Sequence, residues 1–286
     1  MFGVPVLLIA ADRGAQLPAD PKDLVRVAVD KELAPRSPVV RFAFRLKKTT
    51  PNGSSLKDVA ETKDGMVSRL LEVNGQPLTQ EQRDGEAQRL KNILSNPDEI
   101  QKRARDEKRD QERVERLVRS LPDALLYEYE SVAPASLDAG HAEPSRDLVR
   151  LRFKPNPDFD PTNREAQVLK GLAGTIWIDP GECRIVRLEG RLVQDVNFGW
   201  GLFGKLYKGG TVTIEQSRVT GNDWATVGTK LDLNGRVLIF KKIRVQQEET
   251  TSDFRRIPAN LTYAQGVELL QRRSANSPVA SADPEK

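Results

Sequence analysis

The segment GTIWIDPGECRIVRLEG, residues 174–190, gives the strongest local indication of the fold. Two runs rich in β-branched and aromatic residues, Thr175–Ile178 and Cys183–Val196, lie on either side of the turn residues Asp179-Pro180-Gly181. This arrangement predicts a β-hairpin. Because a short turn joins neighbouring strands in opposite directions, the sheet is expected to be antiparallel here.

More strands are predicted on the C-terminal side of this hairpin. The runs Thr211–Val219, Trp224–Leu233 and Arg236–Gln247 have strand composition. Asn234-Gly235 lies between the last two runs, and Asn-Gly between alternating segments is a strong hairpin signal. We therefore expect a turn at Asn234-Gly235.

Strands are also predicted on the N-terminal side, where apolar and polar residues alternate with a period of two. The alternating segments are Val40–Leu46, before a turn at Pro51-Asn52-Gly53, and Val149–Phe153. A third strand is predicted over Gly65–Val73, ended by Asn74-Gly75. From Ala124 onward the pattern is mostly that of a β protein.

Four helices are indicated by their start and stop signals. A short helix is predicted over Asp23–Leu33, before Pro35. The other start signals are Thr79 with Gln82, Asn96-Pro97 with Glu99, and Thr162 with Glu165; the helices they begin should end near Leu94, at Leu121 before Pro122, and at Gly171. The helix ending at Leu121 has a thin apolar stripe, which indicates a surface helix; the alternative is a mobile lid over a cavity.

Eight to ten strands with short turns imply a barrel or a strongly curved sheet. The helices cluster early instead of alternating with strands, so the predicted class is α+β. One domain is expected over residues 21–273, with a helical insertion at about 79–121. The small, polar tail at 274–286 is predicted to be disordered.

The N-terminus indicates export. Val4–Ala11, VPVLLIAA, is an apolar run too short to span a bilayer and similar to the central part of a signal peptide. No basic residue precedes it; an ordinary buried segment is the alternative. We therefore predict a signal peptide or its remnant at residues 1–20 and a periplasmic or otherwise exported protein that is not transmembrane.

Composition indicates a water-soluble globular chain and argues against a nucleic-acid partner. The 286 residues are 38% hydrophobic and 30% charged, with 45 Lys and Arg against 41 Asp and Glu. The richest charged run, Glu81–Arg119, has eleven basic and ten acidic residues and is therefore nearly neutral. It predicts a solvated helix surface and not the one-sided basic face of a nucleic-acid-binding protein.

Few residues could perform catalysis. His141 is the one histidine and lies between Gly140 and Ala142 in a polar loop, which favours a solvated loop histidine over the base of a Ser–His site. Cys183 is the one cysteine, so no cysteine-based metal site can be assembled. Asp158 and Asp160 form a D-x-D without the rest of a calcium loop. We therefore expect no catalytic residue, no metal and no cofactor. Paired carboxylates that meet in the fold leave a hydrolase open as an alternative.

The segment Val196–Gly210, VNFGWGLFGKLYKGG, is the best candidate for a binding site. Large apolar side chains alternate there with glycine, which suits a flexible loop or a bulged strand pair. They either fill the core or form an apolar lip for a ligand or a membrane, with two lysines placed for anionic head groups. The apolar residues are Phe198, Trp200, Leu202, Phe203, Leu206 and Tyr207, and the lysines are Lys205 and Lys208.

The order of these segments resembles the periplasmic lipoprotein-carrier superfamily, which includes LolA, LolB and RseB. The resemblance covers about Asp23–Pro258 and rests on strand order and on the hairpin with Gly174–Asp179 and Arg184–Gly190. It implies an incomplete β-barrel, covered on one side by helices, that encloses an apolar cavity for acyl chains. No ligand-contact residue of the family matches a position here, and no lipobox cysteine lies near the start.

We therefore expect an exported, non-enzymatic binding protein that holds a lipid, a lipoprotein acyl chain or another apolar ligand, with a lipid or an acylated protein as partner. The alternative is an envelope sensor or scaffold that binds a protein through the curved sheet. A hydrolase that uses paired carboxylates is the third reading. A connected apolar cavity would favour the first, an exposed apolar patch on a filled barrel the second, and converging acids in a polar cleft the third.

Overall fold

The computed structural model describes residues 17–35, 38–134, 147–198, 204–237 and 241–275. In this part of the chain, four α-helices and one 3-10 helix accompany thirteen strands that form a single antiparallel sheet. The sheet is open, because its two edge strands do not pair with each other. The predicted α+β class is confirmed. The predicted number of strands, eight to ten, was too low.

The helices are α1 (Pro21–Leu33), α2 (Gln80–Leu94), α3 (Pro97–Ala124) and α4 (Tyr263–Ala275), with a short 3-10 helix at Glu165–Gly171. The strands are β1 (Arg41–Thr50), β2 (Gly53–Thr62), β3 (Gly65–Val73), β4 (Gln76–Pro77), β5 (Leu125–Pro134), β6 (Asp147–Pro155), β7 (Leu172–Asp179), β8 (Arg184–Leu192), β9 (Val196–Phe198), β10 (Gly204–Leu206), β11 (Thr211–Thr220), β12 (Asp223–Val237) and β13 (Lys241–Ile257).

Along the sheet the strands follow the order β4-β3-β2-β1-β13-β12-β11-β8-β7-β6-β5, and the β9–β10 hairpin pairs with the end of β12. We call inner face the one that carries Leu151, Ile176 and Leu188, and outer face the opposite one. The inner side chains of β6, β7 and β8 pack with α1, the end of α3 and the 3-10 helix in the main core. This core holds the alternating residues Val149, Leu151 and Phe153, so that prediction is confirmed.

A second core lies at the other end of the sheet and on the other face. Ala43, Ala60 and Val67 project from the outer face of β1, β2 and β3 and are covered by α2 and α4. Ile100 of α3 packs against this second core, whereas Leu117 packs against the main core. Helices therefore lie on both faces of the sheet at opposite ends, not on one side as the resemblance implies, and α3 connects the two cores.

The helix start signals are largely confirmed. Thr79 and Gln82 form a reciprocal capping box, and the Asn96 side chain accepts a hydrogen bond from the Glu99 amide. Helix α3 runs past the predicted end and includes Pro122 in its last turn. Because proline has no N–H, Pro122 leaves the Val118 carbonyl without its usual intrahelical donor. The Tyr127 hydroxyl donates to the Leu121 carbonyl at 2.8 Å and so provides a side-chain hydrogen bond at this helix end.

Strand β2 was not predicted from the sequence. Its segment, GSSLKDVAET, lacks a period of two because neighbouring residues are buried on opposite faces. Val59 lies on the inner face, whereas Asp58 and Ala60 lie on the outer face under α4, and all three are buried. A strand that is covered on both faces loses the polar positions on which the pattern depends.

The predicted turn at Asn234-Gly235 was wrong. Both residues lie within β12, where Asn234 pairs with Arg244 and Gly235 pairs with Ile243. On its other side Gly235 pairs with Leu206 of β10. A Cβ atom on Gly235 would come within 2.4 Å of the Lys205 carbonyl oxygen. The glycine is therefore required by the close approach of two backbones, not by a turn.

Replacing Gly235 by alanine should push β10 away from β12 and lower the free energy of unfolding by about 1–3 kcal/mol. Gly85→Ala provides the control, because a Cβ atom at this position of α2 meets nothing within 4 Å. Alanine is the better helix former, so that variant should be stabilised by about 0.5–1 kcal/mol. Denaturant unfolding measures both changes, and equal effects of the two substitutions would contradict the close-approach explanation.

The remaining differences are local. Thr162 and Glu165 do not form a capping box; the Asn163 side chain accepts from the Ala166 amide, and a 3-10 helix follows. Helix α4 was not predicted. The tail predicted to be disordered begins at Ser274, which belongs to α4, and its residues 276–286 lie outside the described residues, as do residues 1–16 of the predicted signal peptide.

Candidate functional site

The central strands of the sheet carry an apolar patch on their inner face. Val212 of β11 pairs with Leu231 of β12, and Leu233 pairs with Val245 of β13. All these side chains are half-buried. We call the following seven residues the inner patch: Phe198, Leu206, Val212, Leu231, Leu233, Ile243 and Val245. Four of them, Phe198, Leu206, Val212 and Leu233, also pack against the main core.

The inner patch lies on strands that the helices of the described part leave largely uncovered. Helix α1 packs on β5 and β8, and α2 and α4 lie over β2 and β3, but no helix of the described part packs broadly on β11, β12 or β13. A hydrogen bond from Gln216 to Glu32 of α1 reaches this region at its border. The outer residues of the same strands are polar, for example Lys230 and Glu248. The patch thus extends the main core into a region that the described residues do not cover with a second layer.

A polar band borders the inner patch. Glu249 of β13 pairs with Thr229 on one side and with Lys48 on the other, and the Lys48 ammonium lies 2.9 Å from the Glu249 carboxylate. Beyond this band Phe254 stacks on Phe44, with ring centroids 5.1 Å apart. The inner face therefore presents an apolar region next to charged and hydroxyl groups, as an amphipathic ligand requires.

Three of the six predicted lip residues lie in described parts of the chain. Phe198 of β9 and Leu206 of β10 are half-buried and contribute to the inner patch, whereas Tyr207 is 37% exposed. Trp200, Leu202 and Phe203 lie outside the described residues. The structure thus places Phe198 and Leu206 together on the inner face. Both side chains pack against the main core, as expected if this segment fills the core, but they are only half-buried.

The two predicted lysines meet at one carboxylate. The Lys205 ammonium lies 2.7 Å from Asp195, and the backbone amide of Lys208 donates to the same side chain at 2.8 Å. The hydrogen bonds from Lys205 and from the Lys208 amide lower the pKa of Asp195. Lys205 also lies 5.9 Å from the centre of the Tyr207 ring. These contacts hold the base of the β9–β10 hairpin together.

The described residues offer little for catalysis. They contain no group of three or more His, Cys, Asp or Glu side chains that could hold a metal ion. Asp158 and Asp160 are exposed, and His141 lies outside the described residues. Cys183 is half-buried in a left-handed turn conformation with φ of 49°, and its thiol contacts the Pro180 carbonyl oxygen at 3.5 Å. No hydrogen bond in the described structure joins Cys183 to Asp158 or to Asp160.

The sequence pattern predicts the long strands that carry the inner patch, but not the patch itself. Alternation of apolar and polar residues along Thr211–Ile214 and Lys230–Leu233 marks one apolar face on each strand. Such a face is usually covered by a second layer, and no residue within these strands shows whether a cover is present. The signal that could have identified the patch is an excess of apolar strand faces over amphipathic helices in the whole sequence.

No helix in the described part of the chain is both long and apolar enough to cross a membrane. Comparison with known proteins found no matching family model, no similar curated protein and no similar solved structure.

Proposed function

We propose that this protein is an exported, non-enzymatic binding protein that holds an elongated apolar ligand, such as a lipid or the acyl chain of an acylated protein, on its inner face. The observation that supports this proposal is the inner patch, a half-buried apolar surface that belongs to an open sheet and not to a filled barrel, is continuous with the main core, and has no helix of the described part packed broadly over it. The ligand would take the position of the missing helical layer. The partner would then be a lipid or an acylated protein in the cell envelope.

The driving force would be the removal of apolar surface from water. Each methylene of an acyl chain that becomes buried contributes about 0.8 kcal/mol, and the side chains of the patch lose their remaining contact with water at the same time. The sheet is already formed, so the ligand need not order these strands. The polar band with Lys48 and Glu249 would lie beside the ligand's polar end.

Changing Leu231 and Ile243 together to serine should weaken the binding of a fluorescent fatty acid, cis-parinaric acid, by on the order of tenfold. Both side chains belong to the inner patch and lie outside the main core cluster, so the fold should be retained. The measurement is fluorescence titration of the full chain, together with its unfolding midpoint.

The matched control is Val27→Ser with Val114→Ser. These two apolar side chains are 49% and 58% exposed, on α1 and α3, and lie outside the patch. They should leave fatty-acid binding unchanged. Absence of binding by the unaltered protein, or equal loss in both double variants, would reject the inner patch as the ligand site.

A further inference from the structure

Opposite charges lie next to each other on neighbouring strands at several positions of the outer face of the sheet. Lys230 pairs across the strands with Glu248, with 3.6 Å between the charged groups. Arg150 of β6 lies 2.9 Å from Glu130 of β5. Cross-strand pairs of opposite charge stabilise a sheet, whereas like charges placed directly opposite destabilise it. The outer face follows this rule at both of these positions.

One row of the outer face breaks this rule. Lys205 of β10 pairs with Arg236 of β12, and Arg236 pairs on its other side with Lys242 of β13. Three cations thus lie side by side across three neighbouring strands. The next residue along the same face of β13 is Arg244, which stands opposite the uncharged Asn234. No acidic residue occurs at these paired positions.

Only one of these cations has an acidic partner in the described structure, namely Lys205, which binds Asp195. Among the described residues no carboxylate lies within ion-pair distance of Arg236, Lys242 or Arg244. The Nε atom of Arg236 is buried and makes no hydrogen bond. The row therefore carries an excess of positive charge that no described contact of the fold neutralises.

We infer that this basic row, Lys205, Arg236, Lys242 and Arg244, is a docking surface for the phosphate groups of an anionic lipid bilayer. Like charges that lie directly opposite each other destabilise a sheet. A partner that supplies negative charge would neutralise the row, which explains why the sequence retains it. Lys242 and Arg244 are exposed, and Lys205 and Arg236 are half-buried beside them on the face of the sheet. A row of cations on a sheet face suits an extended plane of phosphates. The inference does not depend on whether an apolar ligand occupies the inner face.

The surroundings of the basic row support a bilayer as its partner. Lys208 and Lys241 are exposed and lie at the same end of the sheet, which brings the number of basic side chains there to six. Clusters of four to eight basic residues are typical of surfaces that bind anionic lipids. The half-exposed Tyr207 ring next to Lys205 provides an aromatic side chain of the kind found at membrane interfaces.

The test is co-sedimentation of the full chain with vesicles made of equal amounts of phosphatidylcholine and phosphatidylglycerol. The unaltered protein should bind these vesicles, bind pure phosphatidylcholine vesicles weakly, and dissociate as salt is raised. The triple variant Arg236→Gln, Lys242→Gln, Arg244→Gln should bind the anionic vesicles on the order of a hundredfold more weakly, because each basic residue near an anionic surface contributes roughly fivefold.

The matched control removes three exposed cations from α3, Arg105→Gln, Lys108→Gln and Arg119→Gln, and should retain binding. The basic-row variant should unfold at the same or a higher denaturant concentration, since it loses a like-charge contact. Equal loss in both triple variants would overturn the proposal, as would binding that does not depend on phosphatidylglycerol or on salt. Tighter binding to duplex DNA or to inorganic phosphate than to the anionic vesicles would overturn it as well. If the triple variant does not fold, the proposal is still tested by how vesicle binding of the unaltered protein depends on salt and on phosphatidylglycerol.

Discussion

Replacing Asp58 by alanine should lower the free energy of unfolding by about 3–5 kcal/mol. Asp58 is 1% exposed on the outer face of β2, beneath α4. Its carboxylate lies 3.6 Å from Arg45 and 3.7 Å from Arg273, whose side chain is 9% exposed. Loss of the carboxylate would leave a buried guanidinium near other positive charges.

The electrostatics of Arg273 show why the loss should be large. Burial lowers the pKa of Arg273, and the nearby Arg255 and Arg45 lower it further, whereas Asp58 opposes the shift. Asp58 is therefore the carboxylate that most stabilises the charged form of Arg273. Its oxygens are too far from both guanidiniums for a hydrogen bond, so we expect removal of the whole charged pair to be tolerated much better than removal of one member.

Two further variants serve as controls for this prediction. Asp110→Ala breaks an exposed pair with Arg113, 2.9 Å apart on α3, and should change stability by about 0.5 kcal/mol or less. The double variant Asp58→Leu, Arg273→Met should recover most of the stability lost in Asp58→Ala. Urea unfolding at neutral pH measures all three variants. A small effect of Asp58→Ala alone would show that Arg273 does not depend on this carboxylate.

Replacing Glu86 by alanine should cost about 2–4 kcal/mol, because Glu86 closes an open edge of the sheet. Strand β4 covers only the end of β3, at Glu72 and Val73. Further along β3, Glu86 accepts from the Leu70 amide at 2.8 Å and from Arg89 at 2.7 Å. Arg89 in turn donates to the Ser68 carbonyl at 2.7 Å. The substitution would remove all of Glu86's hydrogen bonds and leave Arg89 without its carboxylate.

Glu107 of α3 continues this protection and accepts from the Met66 amide at 2.9 Å. Side chains of two helices thus replace a neighbouring strand along β3, and an unpaired edge is a site for aggregation. We therefore also expect Glu86→Ala to aggregate faster on heating. Glu112→Ala, an exposed glutamate of α3, is the control and should change stability by less than about 0.5 kcal/mol.

The contribution of Glu86 should depend on pH. Burial raises the pKa of Glu86, but the hydrogen bonds from Arg89 and the Leu70 amide outweigh it, so the pKa lies below its ordinary value of 4.5. A lowered pKa in the folded state contributes stability that is complete above the unfolded pKa and is lost as the pH falls through the folded pKa. The difference between Glu86→Ala and the unaltered protein should therefore shrink below about pH 4.5. A constant difference would contradict this account.

Glu107 should show the opposite sign. Burial raises its pKa above the ordinary value, and the hydrogen bond from the Met66 amide only partly opposes this shift. Protonation is then easier in the folded state than in the unfolded state, so the charge of Glu107 disfavours folding at neutral pH and this cost falls as the solution is acidified. The two carboxylates that close one edge thus respond to acid in opposite directions.

Features that depend on residues close together in the chain could be predicted from the sequence alone. The hairpin at residues 174–190, the capping box of Thr79 and Gln82 and the alternation of Val149, Leu151 and Phe153 were all predicted, because turn geometry, a helix cap and a half-buried strand each involve only a few neighbouring residues. The α+β class followed from the same local signals.

Features that depend on what lies beside or above a strand became visible only in the tertiary structure. Position 235 requires glycine because the backbone of Lys205, thirty residues earlier, occupies the space that a Cβ atom on residue 235 would need. Strand β2 was not recognised in the sequence because α4 covers its outer face while Val59 is buried on the inner face. The inner patch and the basic row exist because strands distant in sequence align in register. Among the described residues, no helix packs broadly over the patch and no acid forms an ion pair with Arg236, Lys242 or Arg244.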